Sequence, residues 1–480
     1  MRTLIKDGTV ATASDTFVAD VWIEDGKIVG LTHPAQRGAL AGAAADHTID
    51  AAGQYVIPGG IDCHTHMELP FGGTTASDDF DTGTVAAAHG GTTTIVDFAI
   101  QSKGSSMRAG LDAWLAKAEG KAAIDYGFHM IMTEANPAAL EDMAAMVREG
   151  VTSFKMFMAY PGVFLVDDQQ IFRAMQRAGE LGALITMHAE IGLPIDVLVQ
   201  QALAAGRTAP IYHALTRPEV AEATGTERAI ALAEMAGVPV YMVHLSAQRA
   251  LERVMEARDR GLPTYAETCP QYLFCTEDDL RGEPPGQGNG GESDEERAWK
   301  GAGYVCTPPL RPRHHHDHLW RGLRNYDLQV VATDHCPFCM KDQKALGRGD
   351  FSKIPNGMPG VETRLHLLWE GVTQGKISIN RFVEITATAP AKLFGMYPRK
   401  GSIAVGSDAD IVVWDPRRTK LLGKDTLHMR VDYSPFEGRT VPASPSHVLA
   451  RGELIVHNDQ WVGKAKQGRG QFIRRGTFAL

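Results

Sequence analysis

Cysteine is scarce in this chain. Six residues, Cys63, Cys269, Cys275, Cys306, Cys336 and Cys339, are spread over 480 positions, too few for a disulfide-built scaffold and suited to free thiols in a reducing compartment. Long apolar runs are also missing. None approaches the roughly 20 residues that cross a bilayer, and the first eight residues turn polar before a signal-peptide core could form, so the cytoplasm is the expected location. Basic runs are absent as well: 48 Lys and Arg stand against 57 Asp and Glu, a net charge of −9, which points away from nucleic acid and membrane as partners. With 44% hydrophobic and 22% charged residues, the composition is that of an ordinary globular protein. The length allows either about three domains or one large barrel with an accessory domain.

Both ends read as short β-strands between Gly and Asp turns, for example Phe17-Val18-Ala19-Asp20-Val21-Trp22-Ile23 and Asp410-Ile411-Val412-Val413-Trp414-Asp415. Between them, apolar strand-like runs alternate with Ala-rich helical stretches, the pattern of a parallel sheet covered by helices. Eight such runs begin at Val56, Thr92, Asp125, Val151, Ala183, Val238, Leu262 and Leu328. Eight strand-helix repeats predict an α/β fold of the (β/α)8 TIM-barrel type. The Gly- and Pro-rich stretch within 281–300 is too long for an ordinary connection and reads as a solvated loop, with the segment from Tyr304 to Arg311 able to fold back over the barrel mouth.

His64-Thr65-His66 closes the first run, and an i, i+2 spacing at a strand end puts both imidazoles on one face. Alone, such a pair is weak. Yet later runs also end on chemistry-bearing side chains: Lys155, His188, His244 and Asp334. In a barrel, the C-terminal strand ends share one rim, so these residues become neighbours. Four imidazoles and a carboxylate suit zinc or a similar divalent ion, and more than four ligands suggest two metals sharing one site. Two cations need a negative bridge, which an unmodified Lys155 amine does not provide. Chemical modification of Lys155 would remove the mismatch.

At this point the chain resembles the cyclic amidohydrolases of the amidohydrolase superfamily, and among them the dihydropyrimidinase and D-hydantoinase group. The resemblance is carried by Pro58-Gly59-Gly60-Ile61-Asp62-Cys63-His64-Thr65-His66, Phe71-Gly72-Gly73-Thr74, Ser153-Phe154-Lys155-Met156-Phe157-Met158-Ala159-Tyr160, Glu267-Thr268-Cys269-Pro270-Gln271-Tyr272-Leu273 and Asn356-Gly357-Met358-Pro359-Gly360-Val361-Glu362. It implies a catalytic barrel over 55–400 and a β-sandwich domain built from 1–54 and 401–480. It also implies that carbon dioxide or bicarbonate carboxylates Lys155 to a carbamate bridging two zinc ions. His64, His66 and Asp334 would hold one ion and His188 and His244 the other. A bridging hydroxide would attack a ring amide carbonyl, with Asp334 as general base and then general acid, opening dihydrouracil, dihydrothymine or 5-substituted hydantoins to N-carbamoyl amino acids. In the same carry-over Tyr160 donates to the developing oxyanion, and the main chains at Thr307 and Asn356 hold the imide edge. The family's usual residue at the first of these is Ser. Phe71, Phe157 and Phe164 would surround the exocyclic substituent.

Allantoinase shares the metal scaffold and is the nearest alternative. Dihydroorotase relatives place an arginine just after the histidine pair, where this chain has Met67-Glu68-Leu69. A collapsin-response-like scaffold is the non-catalytic alternative, although that class has lost metal ligands that this chain keeps. The resemblance further implies a homotetramer. The basic tail from about Gly463 reads either as an arm to a neighbouring subunit or as a solvated end. Cys336-Pro337-Phe338-Cys339 is a lone CxxC and therefore a weak metal or redox signal, and His314-His315-His316 reads as a solvated turn.

Overall fold

The computed structural model describes residues 2–39, 44–283 and 293–478. Eight parallel strands follow one another around a barrel: β1 Gly60–Thr65, β2 Thr92–Ile100, β3 Asp125–Ile131, β4 Ser153–Phe157, β5 Leu184–His188, β6 Val240–Met242, β7 Thr264–Thr268 and β8 Val330–Val331. Each of the eight predicted runs contributes one. β8 and β1 meet through the parallel bridge Thr65↔His335, where the His66 N–H donates to the His335 carbonyl at 2.9 Å. With helices outside and packed side chains within, the strands are buried along almost their whole length. That is why they read as unbroken apolar runs rather than as alternating ones.

The helices follow the same logic. Asp168–Leu181 buries Ile171, Ala174, Met175 and Ala178, a helical stripe facing the barrel. It begins where the Asp167 carboxylate accepts from the Gln170 N–H at 2.9 Å, and it stops at Gly182, whose φ of 64° is costly for a residue with a Cβ.

The first run divides in two. Tyr55–Pro58 lies in a second, nine-stranded sheet and pairs antiparallel with Ile411–Asp415, and only from Gly60 does the chain enter the barrel. The crossing is at Gly59, where a Cβ would run into the Thr93 side chain. The second sheet joins strands from both chain ends around Ile5, Val21, Ile23, Val56, Ile411, Val413 and Leu449. Its hairpin Asp25-Gly26 has φ of 49° and 79° and Arg451-Gly452 has 45° and 75°, the two positive values that a tight turn matching strand twist requires.

Sheet and barrel are tied by Lys400, 1% exposed, whose Nζ lies 2.6 Å from Asp125 of β3 and 3.1 Å from Asp408, with Asp410 also in contact. Lys400→Met would leave these buried carboxylates without their central cation. The expected cost is about 3–5 kcal/mol of stability, read as a lower urea midpoint; a shift worth under about 1 kcal/mol would mean that the flanking arginines suffice.

Two expectations are corrected here. From Arg469 to Phe478 the C-terminal tail lies against its own barrel instead of forming a free solvated end, while Lys464 to Gly468 are exposed. The Ile473 N–H donates to the Tyr126 carbonyl at 2.7 Å, the Phe478 N–H to the Gly182 carbonyl at 2.8 Å, and the buried Arg475 guanidinium reaches Ser153 at 2.9 Å and the Phe128 carbonyl. Carbonyls of the barrel's own strands and turns thus provide the acceptors. His314-His315-His316 opens the helix His314–Arg324 instead of forming a solvated turn, because His315 is buried and its Nδ1 accepts from the Gln248 N–H at 2.9 Å. Residues 284–292 of the predicted loop lie outside the described residues. All six cysteines are free thiols.

Candidate active site

The six predicted ligands converge at the C-terminal mouth of the barrel. Lys155 Nζ lies 2.8 Å from His64 Nε2, and Asp334 Oδ1 lies 3.0 Å from His64 Nε2 and 3.1 Å from His66 Nε2. Across the floor, His188 Nδ1 is 3.0 Å from His244 Nε2. Apolar strands deliver these groups, and the strand then stops abruptly. His244 and Asp334 sit at φ of 40° and 52°, and Tyr160, beyond β4, at 62°. Non-glycine residues in this region carry roughly 1–3 kcal/mol of strain each. Left-handed backbone at all three positions ends the strands' regular geometry where their side chains meet the cavity.

Two glutamates act behind the ligands. Glu267, 1% exposed at the end of β7, contacts His64 Nδ1 and accepts from the Tyr241 hydroxyl at 2.8 Å and the His244 N–H at 3.2 Å. Glu190 accepts from His188 Nε2 at 2.9 Å. Each carboxylate is placed to take one imidazole N–H, and in the neutral ring the opposite nitrogen, His64 Nε2 or His188 Nδ1, then carries a lone pair facing the shared space. A carboxylate behind and a lone pair in front is the arrangement of a metal-bound histidine. Burial adds to it by pushing His66 down to about 3 and His244 well below the usual imidazole range, which keeps both neutral, the ligating form. The donor set therefore fits divalent cations.

Glu190 was not among the expected site residues, although the His188-Ala189-Glu190 spacing is itself an i, i+2 signal. Lys155, 1% exposed, lies over the rings of Phe98 and Phe157 at 4.3 and 5.0 Å, and burial pushes its pKa down to about 8. Burial also raises the Asp334 carboxyl, but His64 and His66 outweigh it and hold that group well below the ordinary range.

Other possible metal groups among the described residues lack this design. Asp125, Asp408 and Asp410 surround Lys400, while His89 and His428 stack face to face at 3.5 Å beside Asp459, which Lys420 neutralises at 2.9 Å. Stacked rings point their lone pairs side by side rather than at one ion. None of these groups contains a cysteine. Cys336 of the CxxC instead lies on the cavity wall as a buried free thiol.

Above the floor, Phe71, Phe157 and Phe164 form one apolar wall, with Phe157 and Phe164 stacked at 4.9 Å, and Leu69 and Ile131 extend it. Thr307 and Asn356 line the same cavity beside Tyr160. The Thr307 hydroxyl accepts, at 3.1 Å, from the His213 Nε2–H, which also donates at 2.9 Å to the Cys306 carbonyl. His213 lies far from every strand-end motif, and nothing in the sequence singled it out.

Residues 55–455 match the sequence pattern of the amidohydrolase family. A D-hydantoinase from Streptomyces coelicolor is 56% identical over 99% of this chain and 98% of its own length, and one from Geobacillus stearothermophilus is 48% identical over 100% and 97%. The crystal structure of a dihydropyrimidinase from Brevibacillus agri superposes with a TM-score of 0.94 at 50% identity, covering 100% of both chains.

Proposed function

The chain belongs to the amidohydrolase family, and on that premise we propose that it hydrolyses the ring amide of 5-substituted hydantoins and of the dihydropyrimidines dihydrouracil and dihydrothymine, releasing N-carbamoyl amino acids. The observation that carries this reading is the convergence of His64, His66, Lys155, His188, His244 and Asp334 beneath a cavity with one apolar and one polar wall. The names of its relatives support the substrate class.

His64, His66 and Asp334 would hold one divalent ion and His188 and His244 a second, with Lys155 between them. We take the ions to be zinc, for which imidazole and carboxylate are ordinary ligands. Bound there, they supply Lewis-acid polarisation and acidify water at neutral pH. Lys155 is proposed to be carboxylated: the ammonium loses a proton, the resulting free amine adds carbon dioxide through its nitrogen lone pair and loses a second proton, and a repelling cation becomes an anion that would bridge the ions.

The remaining work belongs to side chains. Asp334 Oδ1, beside both His64 and His66, takes up a proton as the carbonyl is attacked and returns it to the ring nitrogen as the C–N bond breaks, which makes that nitrogen a competent leaving group. Tyr160 faces the cavity from a strained backbone, and its hydroxyl donates to the oxygen on which charge develops. Burial raises its pKa and keeps it a donor throughout the neutral range. Tyr160→Phe should lower kcat by about 10²–10³-fold with a smaller change in KM, measured by steady-state kinetics on 5-phenylhydantoin. The main chains at Thr307 and Asn356 hold the imide edge, and Phe71, Phe157 and Phe164 receive the exocyclic group.

The deciding experiment compares hydrolysis of dihydrouracil, 5-phenylhydantoin and allantoin with zinc and bicarbonate supplied. Turnover of the first two supports the reading. Preference for allantoin would transfer the assignment to that substrate, and metal-loaded protein inert toward all three would sink it. We further propose a homotetramer, in keeping with the exposed apolar Leu193, Val197, Leu198, Leu215 and Val220 on neighbouring helices; light scattering at one chain mass would refute it.

A further inference from the structure

Lys344 is 0% exposed, and no carboxylate among the described residues pairs with it. Burial without a counter-ion pushes its pKa down to about 7, and in either protonation state its N–H groups need acceptors. Three backbone carbonyls meet them: Val305 at 3.1 Å, Pro355 at 2.7 Å and Gly357 at 2.8 Å. These carbonyls belong to two chain segments far apart in sequence. One leads to Thr307 two residues later, and the other flanks Asn356 on both sides. The segments touch each other directly as well, the Gly357 N–H donating to the Val305 carbonyl at 2.9 Å. A Cβ at Gly357 would run into the Cys336 backbone, so the second segment is also pressed against the cavity wall. His213 grips the first segment from its other side.

We propose that Lys344 is a positioning residue for substrate: its ammonium fastens the Val305–Thr307 and Pro355–Gly357 segments to each other and sets the gap across which Thr307 and Asn356 hold the ring's imide edge. The proposal rests on the reading above that these two residues bind that edge. Lys344 is not among the residues lining the cavity, so it governs how tightly the ring is held rather than how fast the bond breaks. A lysine suits the task because one compact group with three rotatable donors satisfies carbonyls arriving from different directions. A carboxylate in its place would repel all three.

The test is Lys344→Met, which keeps the length and removes the donors, prepared as the full metal-loaded chain. Expected are a KM for 5-phenylhydantoin raised about tenfold with kcat within about threefold, since an interaction shared by ground and transition states is lost. Bound metal should stay at the unsubstituted protein's level. Amide hydrogen exchange should quicken in 305–308 and 355–358 and remain unchanged in the barrel strands. A purely structural lysine would lower the melting temperature and leave KM alone; that result, or unchanged exchange in both segments, overturns the proposal. Should Lys344→Met fail to fold, Lys344→Gln, which retains two shorter-reaching donors, decides by the same readouts with a smaller shift. If the unsubstituted chain opens no ring, the substrate reading fails, and the exchange measurement still decides whether Lys344 clamps the two segments.

Discussion

Lys155→Ala is expected to bring ring opening to background and to lower the bound metal below two ions per chain. Lys155 is buried, and its Nζ touches the Nε2 of His64 and lies over the rings of Phe98 and Phe157. A permanently cationic lysine there would oppose the very ions that four imidazoles are arranged to receive. The proposed carboxylated form would reverse that sign, and its removal would withdraw the bridge between the two ions. Lewis-acid stabilisation is worth several kcal/mol and about 1.4 kcal/mol is a factor of ten in rate, so a loss of at least ~10³-fold is expected. Metal analysis alongside kinetics separates this from misfolding. The alanine also leaves room for a small carboxylic acid, and acetate or propionate should restore part of the activity. Full activity in Lys155→Ala with no added acid would remove the bridging lysine from the mechanism.

Asp334→Asn should give the second large effect, with a different signature. Asparagine keeps the size of the side chain and one oxygen, so the histidine cluster can still assemble, but it neither accepts the proton nor returns it. General acid–base catalysis contributes about 10²–10⁴-fold, and the fall should appear in kcat, with metal content reduced far less than in Lys155→Ala. A leaving group that needs no proton offers the cross-check. If the fall in kcat is the same for an activated ester as for the cyclic amide, Asp334 serves only as a ligand and the proton role is wrong.

The two substitutions divide the site between holding ions and moving a proton, and the division bears on how the site is specified. His64 and His66 are adjacent by strand periodicity alone, and Lys155, His188, His244 and Asp334 could be grouped from sequence because strand ends in a barrel share a rim. A local pattern and one topological rule therefore sufficed to group all six proposed ligands. Glu267 lies in a quoted motif, yet its contact with His64 is a matter of barrel closure, since more than two hundred positions separate them.

The sequence by itself determined the alternation of strand and helix, the eight strands, the β-rich ends and the six side chains that converge at the barrel mouth, because each depends on short-range periodicity or on residue type at a strand end. Tertiary structure decided the rest. It divided the Val56 run at Gly59, where two sheets come too close for a Cβ, and laid the basic tail along the barrel's own carbonyls. It turned the histidine triplet into a helix start by burying His315. It also brought Lys344 and His213 against the loops bearing Thr307 and Asn356. In each case the deciding contact joins residues distant in the chain, and a lysine or histidine carries no mark in sequence of whether it will meet water, a carboxylate or three carbonyls. Composition and spacing fix what a segment can form, while the energy of a buried charge depends on the groups that folding places around it.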